Sequence, residues 1–212
     1  FDVGIAEGHA VTFAAGLAAA GLKPIFAVYS SFLQRAYDQI LHDVCIQNLP
    51  VVFAIDRAGL VGSDGETHQG IFDVSYLSSI PNMTIMAPKN RFELKTMIDY
   101  SVGFDGPLAI RFPKGKASEA FMEELAPIEY GKSEVLVKGK DIAILFVGSM
   151  ADLAESLNNE LKERGYEPTI VNARFVKPID EELIDELSKN HKLLVTLEEN
   201  VINGGYGMNV LR

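Results

Sequence analysis

Pro24-Ile-Phe-Ala-Val-Tyr29 and Val51-Val-Phe-Ala-Ile55, with one helical run between them, decide the fold. Both runs are nearly all apolar, as strands are when helices cover both faces of a sheet. Ser30 or Ser31 can cap the intervening helix. Its apolar residues Leu33, Ala36, Tyr37, Ile40, Leu41 and Val44 fall at i, i+3, i+4, i+7, i+8 and i+11. Strand, helix and strand at this spacing make a βαβ unit, with parallel pairing and a right-handed crossover.

The alternation continues on both sides. Asp2 to Ala6 reads as a strand leading into an Ala/Gly-rich helix from Glu7 to Gly21. Strands Met83 to Met86 and Leu108 to Arg111 flank a helix from Arg91 to Val102, and Asp56 to Gly70 is a polar, Gly-rich loop without apolar period. The texture changes between Lys114 and Lys140, where only Ser133 to Val137 reads as a strand. The pattern then resumes with strand Ile142 to Val147, helix Ala151 to Arg164, strand Thr169 to Asn172, helix Asp180 to Asn190 and strand Leu193 to Leu197. The expected architecture is α/β: two doubly wound, three-layer domains of mainly parallel sheet, over residues 1–116 and 133–212, joined by a linker at 117–132. The chain opens at Phe1 without an initiator Met and closes as a loop enters a helix, so a longer parent protein is expected.

Composition excludes several classes. With 212 residues, 48% hydrophobic and 23% charged, the chain can bury a core and is neither disordered nor fibrous. A single cysteine, Cys45, rules out a disulfide scaffold, fits a reducing compartment, and sits among helical apolar neighbours as an inert buried thiol. A net charge of −10 disfavours nucleic acid as a partner. The longest apolar run, Ala10 to Leu22, is too short to span a bilayer.

In parallel α/β sheets, ligands collect beyond the carboxyl ends of the strands. The residues there are Glu7-Gly-His9, Tyr29-Ser-Ser-Phe32, Asp56-Arg57, the loop Ser63-Asp-Gly-Glu-Thr-His-Gln-Gly70, and Arg111. Through residue 88 the only Lys or Arg residues are Lys23, Arg35 and Arg57, so an arginine at a strand exit is not random solubilising charge. Each residue also has a plain structural explanation. Glu7 suits a helix start through the macrodipole. Arg57 and Arg111 suit ion pairs, Phe32 suits the core, His68 a solvated loop, and Glu198-Glu199 a charged loop. Convergence at one sheet edge points to a site for a small anionic ligand.

Several blocks together resemble one family. They are Phe1-Asp-Val-Gly-Ile-Ala-Glu7 with His9, Tyr29-Ser-Ser-Phe-Leu-Gln-Arg-Ala-Tyr-Asp-Gln39, Ala54-Ile-Asp-Arg-Ala-Gly59 and Asp64-Gly-Glu-Thr-His-Gln-Gly70. Arg111-Phe-Pro-Lys-Gly115, Arg174-Phe-Val-Lys-Pro178 and Glu198-Glu-Asn-Val-Ile-Asn-Gly-Gly205 complete the set. The chain resembles, end to end, 1-deoxy-D-xylulose-5-phosphate synthases, which are transketolase-like thiamine-diphosphate enzymes. The resemblance implies a thiamine-diphosphate-binding fold lacking its N-terminal part, followed by a truncated transketolase C-terminal-like domain. It implies condensation of pyruvate with D-glyceraldehyde 3-phosphate, with loss of carbon dioxide, in a cytoplasmic homodimer. It also implies Mg2+ held by a Gly-Asp-Gly domain; that motif is absent here, so no metal ligand is expected in this chain.

Residue by residue, Glu7 matches the carboxylate that bonds the pyrimidine ring nitrogen and drives its tautomer change. Phe32 matches the aromatic that stacks on that ring, and Arg35 a residue beside it. Tyr29, Arg57 and Arg111 match groups that bind the aldehyde's phosphate. Asp64 and His68 match polar residues around the reacting carbonyl, with His68 as a catalytic acid-base. One departure is Gly8, where the family usually carries Gln. Two alternatives stay open: another thiamine-diphosphate enzyme (a transketolase or a 2-oxoacid dehydrogenase β chain), or a non-catalytic binding or dimerisation module.

Overall fold

The apolar runs form strands in the expected places, and in the computed structural model they assemble into two sheets. Residues 1–122 and 126–212 are described; 123–125, within the expected linker 117–132, lie outside the described residues. The first half supplies α1 (Glu7–Ala19), β1 (Ile25–Tyr29), α2 (Ser30–Leu33), α3 (Tyr37–Gln39), β2 (Val52–Asp56), α4 (Asp73–Ser78), β3 (Thr84–Met86), α5 (Arg91–Gly103) and β4 (Leu108–Arg111). The second half supplies β5 (Glu134–Val137), β6 (Ile142–Phe146), α6 (Ala151–Glu163), β7 (Thr169–Asn172), β8 (Phe175–Lys177), α7 (Glu181–Asn190), β9 (Leu193–Leu197) and α8 (Tyr206–Val210).

The first sheet has the order β1-β2-β4-β3-β8, and the second β5-β7-β6-β9. β1, β2, β4 and β3 are mutually parallel, with Tyr29 level with Asp56 and Ile55 level with Arg111, so their carboxyl ends share one edge. β8 closes that sheet antiparallel to β3, and β5 closes the second antiparallel to β7. The mainly parallel α/β architecture holds. Phe53, Ile55, Leu77 and Ile85 of the first sheet and its helices share one continuous core with Leu145, Val171 and Leu187 of the second half.

Four local features differ from the sequence pattern. Asp2 to Ala6 forms no strand; Gly4 there takes φ +60, which breaks an extended run. The helix expected after Ser30 is not uniform: it tightens to a 3-10 turn at Gln34–Ala36 and widens to a π segment at Ile40–Cys45. α4 has six residues and β8 three, too few to show a period. β8 also joins the sheet of the first half, which no local pattern announces.

A buried ionic cluster fastens the two halves. Arg174 Nε donates to Glu93 Oε1 at 2.7 Å, its Nη2 pairs with Glu134 Oε1 at 3.0 Å, and Lys89 Nζ pairs with Glu134 Oε2 at 2.5 Å. Asn172 Nδ2 donates to Glu93. Two cations thus meet two carboxylates, all of them buried, so no unpaired charge stays in the low-dielectric interior. Arg174 also donates to the carbonyls of Ala126 and Pro127, which ties the end of the linker to the same cluster.

Candidate active site

The junction between β1 and α2 sets the first part of the site. The chain leaves β1 at Tyr29 and turns straight into helix, so Tyr29 and Phe32 fall on the same side and stack with ring centroids 5.1 Å apart. His68, from the loop after β2, meets Phe32 edge-on at 5.3 Å. Glu7 opens α1, is buried to 7% exposure, and its Oε1 accepts from Arg35 Nη1 at 2.8 Å. The Arg35 guanidinium also lies 5.0 Å from the Phe32 ring centroid. Glu7, Tyr29 and Phe32 line one cleft of about 760 Å³ between residues 1–4 and β1.

The second part hangs on the loop between two glycines. Gly59 and Gly70 exchange both backbone hydrogen bonds (2.7 and 2.8 Å), closing the loop at its base. A side chain at Gly70 would put its Cβ 2.1 Å from the Arg57 carbonyl oxygen, so only glycine fits. Gln69 braces the interior: it accepts from Val61 N at 2.9 Å and donates to the Gly65 carbonyl at 2.8 Å. This presents Asp64, which accepts from Arg57 Nε at 3.0 Å and from Lys114 Nζ. The Lys114 hydrogen bond, with that of Arg57, outweighs partial desolvation and holds the Asp64 carboxyl below the usual aspartate range. Arg57 also pairs with Asp56 at 2.6 Å and lies 3.7 Å above the Tyr29 ring. Desolvation opposes its charge, but the bond to Asp64 and the negative charge of Asp56 prevail and raise its pKa. Asp56, Arg57, Lys114 and Ser149 line a second cleft of about 390 Å³.

The fold therefore brings together Glu7, Tyr29, Phe32, Arg35, Arg57, Asp64 and His68. It places Arg111 differently. That side chain is 4% exposed, with Nε 2.8 Å from Asp73 Oδ2 and Nη2 3.3 Å from Asp73 Oδ1, and it lines neither cleft. Lys114, three residues further along, reaches the Arg57–Asp64 group instead. Sequence reasoning passed over Lys114; the available signal was a cation shortly past a strand's carboxyl end. Among the described residues, no group of three His, Cys, Asp or Glu is arranged to hold a metal ion.

Residues 1–120 match the family model described as transketolase, pyrimidine binding domain, and residues 131–212 match transketolase, C-terminal domain. The chain belongs to the transketolase family. Within that family it is similar to the 1-deoxy-D-xylulose-5-phosphate synthase of Lachnoclostridium phytofermentans, 58% identical over 99% of this chain and 34% of that protein. The corresponding synthase of Clostridium tetani is 57% identical over 100% of the chain and 34% of its own length. The chain thus spans about a third of the length of these curated relatives. Among solved structures, a split-gene transketolase described as an inactive β4 tetramer superposes with a TM-score of 0.90 at 31% identity, covering 99% of this chain and 68% of that one. Transketolase from Campylobacter jejuni shares the fold, with a TM-score of 0.74 at 19% identity, over 100% of this chain and 37% of that one. Both halves of this chain are therefore family domains. No helix among the described residues is long and apolar enough to cross a membrane.

Proposed function

We propose that this chain carries the pyrimidine-side half of the active site of a 1-deoxy-D-xylulose-5-phosphate synthase, which joins pyruvate to D-glyceraldehyde 3-phosphate with loss of carbon dioxide. The observation that carries this reading is a buried carboxylate and an aromatic pair on the wall of one cleft: Glu7, Tyr29 and Phe32. The cleft volume of about 760 Å³ is within the range of cofactor sites. These residues fit thiamine diphosphate: an aromatic face for a flat ring, and a carboxylate whose Oε1 is held by Arg35 while, among the described residues, no hydrogen bond reaches its Oε2. When bound, the cofactor supplies the nucleophilic carbon and the electron sink that decarboxylation of pyruvate needs.

The chain's own residues then have separate tasks. Glu7 holds a proton at the ring nitrogen, and Arg35 fixes the carboxylate in place. Phe32 orients the ring. Arg57 and Lys114 hold the aldehyde's phosphate, since both are cations beside the same cleft and a guanidinium offers several donors to phosphate oxygens. His68, against Phe32, donates to the alkoxide that develops on the aldehyde carbonyl. Arg111 supports the site from behind, through Asp73. Mg2+ would be held by a diphosphate-binding domain outside this chain. Exposed apolar Phe1, Ile5 and Phe13 beside the larger cleft suit a homodimer or interdomain interface, and the buried free Cys45 suits a cytoplasmic setting.

The test uses the full-length protein with pyruvate and glyceraldehyde 3-phosphate. Glu7→Gln should lower kcat by about 100-fold or more, in line with the loss of a positioned proton-transfer group, while the circular dichroism spectrum stays native. Turnover within twofold of the unsubstituted protein would remove Glu7 from this role.

A further inference from the structure

The Glu198-Glu199 pair after β9 reads in sequence as a charged loop, and the site described above does not use it. In the structure the pair divides: Glu198 accepts from the amides of Tyr206 and Gly207 at the start of α8, while Glu199 reaches across to the first unit. Ser149 Oγ, in the turn after β6, donates to Glu199 Oε2 at 2.6 Å. The Glu199 carboxylate is packed so closely over Gly59 that a Cβ there would lie 2.5 Å from its Oε2. The Glu199 carbonyl accepts from Arg111 Nη2 at 3.4 Å. Two residues on, Val201 N donates to the Ile71 carbonyl at 3.0 Å, and Asn200 Nδ2 donates to Ser75 Oγ at 2.8 Å. Gly59 and Ile71 are the two feet of the loop that carries Asp64 and His68, so one segment of the second unit holds both feet.

From this we infer that Glu199, with Ser149, is a positioning element that sets the stance of the Gly59–Gly70 loop and hence the placement of Asp64 and His68 toward the aldehyde. This rests on the proposed synthase reading. Glu199 touches Gly59 rather than substrate, so it acts through the loop. The donor side of the site is built from Glu7, Phe32 and Arg35 on other elements, and it does not depend on the clamp.

The test is kinetic and structural in the full-length protein. Glu199→Ala should raise KM for glyceraldehyde 3-phosphate by about tenfold, the size expected from losing one well-made hydrogen bond. Ser149 lines the phosphate cleft itself, so Ser149→Ala is judged by hydrogen exchange. KM for pyruvate should stay within about twofold. Glu199→Gln keeps the shape and an acceptor for Ser149, and should restore the unsubstituted value. Hydrogen exchange should quicken at the amides of residues 60–69 in the alanine variants alone. An unchanged aldehyde KM, or both KM values rising together with loss of folded protein, would overturn the proposal, as would a Gln variant as impaired as the Ala one. If the unsubstituted protein fails to turn over this substrate pair, the synthase reading falls, and the exchange measurement alone decides whether Glu199 sets the loop.

Discussion

Arg111 stood, on sequence grounds, among the phosphate ligands, and the structure buries it against Asp73. The consequence can be measured. Arg111 is 4% and Asp73 1% exposed, and two guanidinium nitrogens lie within 3.3 Å of the carboxylate. Burial works against the guanidinium charge, yet the Asp73 charge and hydrogen bond outweigh it and raise the pKa. Removing one partner strands the other charge in a site closed to water, which costs about 3–5 kcal/mol. Replacing both partners with apolar residues of similar volume removes the stranded charge and returns most of that loss. Asp73→Leu and Arg111→Met should therefore each lower the urea midpoint sharply, while the double variant recovers, with a coupling of about 2 kcal/mol or more. Denaturation followed by circular dichroism, at unchanged slope, is the assay. The reasoning is refuted if Arg111→Met leaves the midpoint untouched while raising KM for the phosphorylated aldehyde, because that pattern belongs to a ligand rather than to a buried strut.

Three further expected outcomes concern Asp64, Cys45 and Gly8. Asp64 has its pKa lowered in the fold, so its contacts with Lys114 and Arg57 persist as pH falls through the unfolded aspartate value of about 3.9 and are lost only below it. A carboxyl titration by NMR checks this, and Lys114→Ala should move the Asp64 midpoint upward; a native midpoint above the ordinary range would contradict the assignment. Cys45 is fully buried, and desolvation pushes its thiol up to about 12, so iodoacetamide at pH 8 should leave the native protein unmodified and label it only after unfolding. Gly8→Ala should stabilise α1 by up to about 1 kcal/mol, because the new Cβ meets only the end of the flexible Gln39 side chain at 3.2 Å; a lower thermal midpoint would show that Gln39 cannot give way.

What was legible in the sequence follows the length of the signal. The helix expected over Arg91 to Val102 forms as Arg91–Gly103, and its start carries a local signal the pattern did not use: Asn90 caps it, accepting from the amides of Phe92 and Glu93. β1 and β2 announced themselves by uniform apolarity. α4 and β8 did not, since neither is long enough for periodicity to exceed noise. Tyr29, Phe32, Arg57, Asp64 and His68 lie just beyond β1 and β2, where candidate residues were sought, whereas Glu7 was picked out behind an expected strand, Asp2 to Ala6, that does not form. The placements of Arg111 and Lys114 could not be read that way, because one ends β4 and the other lies three residues past it, and either cation could turn toward the cleft. Only the position of Asp73, on a helix the pattern missed, decides between them. Glu199 was invisible for a related reason: its partners Ser149 and Gly59 are 50 or more residues away, and no local rule links them.

If the proposed synthase reading holds, the charge arrangement at the cleft also constrains how the aldehyde's phosphate would arrive. The chain is strongly acidic overall, so attraction of an anionic substrate has to come from local fields. Arg57 and Lys114 supply that field, but Asp64 sits between them and accepts from both. Arg57 commits Nε to Asp64 and Nη1 to Asp56, and among the described residues no hydrogen bond engages Nη2. Lys114 likewise keeps donors beyond its bond to Asp64. Under the proposed reading, a phosphate could then join both cations while Asp64 keeps its contact with each. Under the proposed synthase reading, Asp64 would order the cations for binding, and the Gly59–Gly70 loop that carries it would belong to the phosphate site even though the aspartate's own charge repels the ligand.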